Sequence, residues 1–93
     1  MENYEALGRF VANKEKAKAQ AITRNNALQD LMRMIQITRE AEGSNTIAMD
    51  FDFTKALEIL KKASDAHGDL LKAVAEANLV AHACGNQQLV IGR

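Results

Sequence analysis

With 93 residues, 12 of them basic and 12 acidic, the chain has room for one small domain and little net field to draw it onto nucleic acid. Proline and tryptophan are absent, and alanine supplies much of the apolar content between Lys, Glu and Gln, a composition that reads as mostly helical. Cys84 is the only cysteine, which excludes an intrachain disulfide and points to a reducing compartment. The opening MENYEALGRF has no basic segment followed by an apolar core, and no uncharged apolar run approaches membrane-spanning length. The expectation is a cytoplasmic protein.

The first element is a helix over about residues 3–42, with Gly8 as its only glycine and Gly43 as its stop. Apolar residues recur at seven-residue spacing. Leu7, Ala21, Leu28 and Ile35 form one column, flanked by Tyr4, Val11 and Met32 on one side and by Phe10, Ala17 and Leu31 on the other. Lys14, Lys18, Arg24 and Asn25 interrupt this stripe, giving two apolar ends joined by a polar waist.

Residues 43–52 form a connector. Gly43, Ser44 and Asn45 turn the chain, and Ile47, Met49 and Phe51 then alternate with Ala48, Asp50 and Asp52. Residues 46–51 are therefore either a short strand or an extended link that tucks those apolar side chains over the end of the helices. A strand needs a partner, and the tail segment Gln88–Ile91 is the one on offer.

The second helix runs over about residues 53–84, capped by Asp52 or Asp50. Its stripe is Phe53, Ala56, Leu57, Leu60, Ala63, His67, Leu70, Leu71, Val74, Ala77, Ala81 and Cys84, and it keeps phase across Gly68, which favours one continuous helix. On this reading Leu60 and Leu71 lie on the seam against the first helix. A further column, Ile59, Ala66, Ala73 and Val80, widens the apolar face towards a second contact. Residues 85–93, GNQQLVIGR, are a tail whose apolar Leu89–Val90–Ile91 triplet suggests docking against something.

The predicted architecture is all-α: one long antiparallel helical hairpin over residues 1–93, completed as a dimeric four-helix bundle. A longer first helix would overhang the hairpin and expose Tyr4, Leu7, Phe10 and Val11 as a partner-binding patch, unless the tail folds back over them. Lys14, Lys16, Lys18 and Arg24 could contact nucleic acid or an acidic protein surface, although they scatter around the helix axis. His67, His82 and Cys84 are the candidate metal or nucleophile residues, but on one helix they cannot converge. Asp50 and Asp52 read as helix caps rather than a carboxylate pair. No phosphate loop, HExxH, CxxC or nucleophile elbow is present.

No cofactor, metal or catalytic activity is expected. In size and style the chain resembles small accessory proteins of bacteria and temperate phages, a likeness that transfers no functional residue. The functional expectation is a non-enzymatic protein-binding or regulatory module, with a small nucleic-acid-binding protein as the alternative.

Overall fold

A computed structural model describes residues 3–40, 43 and 45–92. Two helices account for nearly all of the regular structure: α1, Tyr4–Arg39, and α2, Phe53–Ala81, which continues into a 3₁₀ turn at His82–Cys84. They pack antiparallel along their whole length as a rod of 73 × 19 × 16 Å. The chain is thus an all-α helical hairpin, and among the described residues no helix is long and apolar enough to cross a membrane.

Side chains cap both helices where free amides need acceptors. Asn3 Oδ1 accepts from Ala6 N at 3.0 Å, and Asp52 Oδ1 accepts from Lys55 N at 2.9 Å. Asp50 instead accepts from the neighbouring Phe51 N at 3.0 Å, so the cap is Asp52 alone. Gly68 sits in the middle of an unbroken α2.

Helix α1 ends at Arg39, with Glu40 N donating to Gln36 O. The expected helix end and turn at Ala41, Glu42 and Ser44 lie outside the described residues, as does Arg93. Gly43 does not adopt the left-handed conformation of a glycine stop. Its carbonyl accepts from Thr46 N at 3.2 Å, and a β-carbon on it would stand 2.7 Å from Thr46 Oγ1. Close approach is what glycine serves there.

The connector differs from both sequence expectations in part. No strand forms among the described residues, because the tail docks at the far end of the rod and leaves residues 46–51 without a partner. Of the apolar side chains expected to tuck in, only Phe51 does, meeting Phe53 edge-to-face with ring centroids 4.8 Å apart. Ile47 is fully exposed.

The seam is the main correction. On α1 the residues turned inward are Ala6, Phe10, Asn13, Ala17, Gln20, Arg24, Ala27, Leu31, Met34 and Thr38, spaced alternately four and three apart. On α2 they are Ala56, Ile59, Ala63, Ala66, Leu70, Ala73, Ala77 and Val80, again at heptad spacing. Most of the buried positions are alanines, and Ala77 and Ala81 are at 0% exposure. Small side chains line the contact, so the column expected to face outward, Ile59–Val80, joins Ala56, Ala63, Leu70 and Ala77 of the expected stripe to form the seam. Leu60 and Leu71, expected on the seam, stand largely exposed beside it.

The overhang is also absent. Phe10 packs against Ala77 and Ala81, and Ala17 against Leu70 and Ala73, so α2 and its 3₁₀ turn run level with the start of α1.

Candidate functional site: an apolar face on the hairpin

From Ala6 to Met34 each inward position on α1 is followed directly by a member of a second heptad stripe, Leu7, Val11, Lys14, Lys18, Ala21, Asn25, Leu28, Met32 and Ile35, which Tyr4 extends by one step. From Ala56 to Ala77 the same holds on α2 for Leu57, Leu60, Ser64, His67, Leu71, Val74 and Asn78, with Phe53 one step before. One residue further along a helix is a rotation of about 100°. In an antiparallel pair the two rotations carry both stripes to the same side of the hairpin. Packing agrees: Ala21 from α1 and Val74 from α2 both cover the Ala17–Leu70–Ala73 cluster, together with Ile91 of the tail.

This face has three zones. Nearest the connector, Leu28, Met32 and Ile35 of α1 lie beside Phe53, Leu57 and Leu60 of α2, all substantially exposed; Phe53 is 71% exposed and Leu57 65%. Met32 and Ile35 line an open cleft of about 510 Å³ with Gln36, Arg39 and Glu40.

The middle zone is polar. Arg24 Nη1 lies 3.1 Å from His67 Nδ1, and the other arm of the guanidinium holds Asn25 Oδ1 at 3.0 Å. A guanidinium only donates, so this contact is a hydrogen bond only with Nδ1 as the acceptor.

In the third zone, at the open ends, the tail lies in the groove. Leu89 packs on the Phe10–Ala77–Ala81 cluster and Ile91 on the Ala17–Leu70–Ala73 cluster, while Val90 between them is 87% exposed. Asn78 holds the tail backbone with both ends of its amide: Leu89 N donates to Oδ1 at 2.7 Å, and Nδ2 donates to Leu89 O at 3.1 Å.

The residues expected to form the partner patch are divided by this arrangement. Phe10 is buried at 5% exposure inside the hairpin and is not a surface residue. Tyr4, Leu7 and Val11 are exposed, and the docked part of the tail, Leu89 and Ile91, packs on the Phe10 and Ala17 clusters. Tyr4 and Leu7 line a cleft of about 520 Å³ with Asn3, His82, Ala83, Cys84 and Gly85.

The candidate basic surface is divided too. Lys14 and Lys18 point to the apolar face and Lys16 to the far side of α1, half a turn away. Lys18 pairs with Glu15 at 3.7 Å, and Arg24 is turned inward to His67.

His67 stands well along α2 from His82 and Cys84, and no cluster of three metal-binding side chains occurs among the described residues. The Cys84 thiol donates to Ala81 O at 3.4 Å and accepts from Asn86 Nδ2 at 3.1 Å. The chain matches no protein-family model, and no curated protein or solved structure is significantly similar to it.

Sequence reasoning pointed to a docked tail but not to the groove that receives it, nor to the part Asn78 plays. One signal was present: Leu89, Val90 and Ile91 are three consecutive apolar residues in an otherwise polar tail.

Proposed function

We propose that the protein is a non-enzymatic binding or regulatory module whose working surface is the apolar face, and that its first partner is a second copy of itself. The observation that supports this reading is the placement of large apolar side chains just outside an alanine seam on both helices. Leu28, Met32, Ile35, Phe53, Leu57 and Leu60 then share one side of the hairpin. Two such faces, related by a two-fold axis, make a four-helix bundle.

Removing the exposed half of each of these six side chains from water contributes roughly 1 kcal/mol apiece, or about 12 kcal/mol for two copies. Association costs about 4–15 kcal/mol in lost freedom, so the dimer should form with rising concentration rather than be obligatory.

Leu57→Asp with Leu60→Asp tests this by sedimentation equilibrium up to about 1 mM. The expected result is concentration-dependent dimerisation of the natural chain and a helical monomer for the variant. A natural chain that stays monomeric across that range overturns the reading.

The nucleic-acid alternative draws less support from the geometry. Lys16 faces away from Lys14 and Lys18, and Arg24 is engaged by His67 and Asn25.

A further inference from the structure

The tail is held in a manner that does not depend on its being joined to the same chain. Gly85 takes the left-handed conformation, φ 74°, while Gly85 N donates to His82 O at 3.1 Å and Asn86 N to Ala81 O at 2.9 Å. This paired closure ends the helix and reverses the chain. Beyond it the docking described above consists of two inward side chains, Leu89 and Ile91, and one amide that grips the backbone of Leu89.

Asn78 thus acts as a one-residue edge strand. It satisfies an N–H and a C=O of an extended segment without regard to the side chain between the anchors. The two shallow apolar seats, floored by alanines, then select for branched residues at alternate positions.

We propose that this groove is an acceptor for an extended segment with apolar residues at alternate positions, and that the tail of a second copy occupies it in exchange for the chain's own. The proposal rests on the self-association reading and adds a second point of contact to it. The second copy is the occupant because its tail reproduces every contact named above. Exchange conserves those contacts and requires only that Gly85 open, which is the low-cost route to linked protomers. A short tether holds the tail at an effective concentration in the millimolar range, so the closed form prevails in dilute solution. Exchange becomes favourable where the apolar faces hold two hairpins side by side with their open ends together, which brings each groove within reach of the other tail.

The test uses the full chain. In a ¹⁵N-labelled Leu89→Asp, Ile91→Asp variant the groove is vacated, and the Asn78 side-chain amide reports on it. Adding a synthetic peptide of residues 85–93 should move that resonance to saturation. Adding Asn78→Ala to the labelled variant should weaken the binding about tenfold, read on the backbone resonances of Ala21 and Val74.

A second measurement leaves the groove untouched. A spin label on Gly92→Cys, in a Cys84→Ser background, is mixed with ¹⁵N-labelled natural chain at about 1 mM. Broadening at Ala21 and Val74 of the labelled chain supports exchange. Broadening at Ala21 and Val74 that persists when the spin-labelled chain also carries Leu89→Asp and Ile91→Asp reports proximity in the dimer alone and overturns exchange. No broadening anywhere overturns exchange, and sedimentation equilibrium then decides the dimer by itself. If Leu89→Asp, Ile91→Asp loses helicity, this second measurement decides alone.

Discussion

Phe10 is the residue whose removal most directly tests how the hairpin closes. It is the one aromatic side chain buried on the seam, held between Ala77 and Ala81 with Leu89 of the tail against it. Phe10→Ala deletes a ring whose neighbours on α2 are alanines, which have no side-chain length with which to fill the space. A Phe→Ala change in a core costs about 3–5 kcal/mol, and collapse of the tail into the gap would bring the loss towards the lower figure. A chain of this length is stable by roughly 5–14 kcal/mol, so the variant should lose a large fraction of its stability. Urea denaturation followed by far-UV circular dichroism measures the loss. The midpoint should fall by about 2 M with little change in slope, taking a slope near 1.5 kcal/mol per M. A loss under about 1 kcal/mol would mean that Phe10 is an exposed patch residue after all, and would refute the flush alignment of α1 and α2.

Other substitutions probe separate parts of the argument. Gly68→Ala places a methyl group where nothing lies within 4 Å, in the interior of α2, and should raise stability by about 0.5–1 kcal/mol in a thermal melt. Asp52→Ala removes the cap on Lys55 N and should cost about 1 kcal/mol in the same melt. Duplex and single-stranded DNA should bind weakly at physiological salt, because the lysines do not share a face; a steep salt dependence in fluorescence anisotropy, lost on neutralising Lys14, Lys16 and Lys18, would contradict this.

The hairpin itself was legible because its signals are local and strong. The absence of proline, the Asp52 cap and the unbroken phase across Gly68 each act within a turn or two of chain, and the structure agrees with all of them. The face turned inward was not legible in the same way. A sequence reading weighs side chains by size and places leucine inside, so Leu60 and Leu71 outranked Ile59 and Ala66. What decides the seam is the fit of two backbones, and alanine permits the closest fit. The columns differ by only one residue, or about 100° of rotation, and a helix apolar over such a wide arc does not reveal which part of it meets its neighbour. The tail groove was hidden for another reason: it joins Phe10, Asn78, Leu89 and Ile91, and such long-range contacts leave no periodic trace.

The inverted allocation of side-chain sizes bears on what the molecule is for. An alanine seam contributes little apolar area per residue, so the pairing of α1 with α2 draws its strength from close backbone approach and from a few larger anchors such as Phe10, Leu31 and Leu70. Leu28, Met32, Ile35, Phe53, Leu57 and Leu60 add little to it from where they stand. If they served only the hairpin, exchanging Leu57 and Leu60 for polar residues would weaken folding and leave assembly untouched. If they serve a second copy, Leu57→Asp with Leu60→Asp should change monomer stability by less than about 1 kcal/mol while abolishing dimerisation. Denaturation at low protein concentration and sedimentation at high concentration separate the two cases. A variant that unfolds at low concentration would show that these leucines belong to the hairpin's own core, and the outward face would lose its claim to be the working surface.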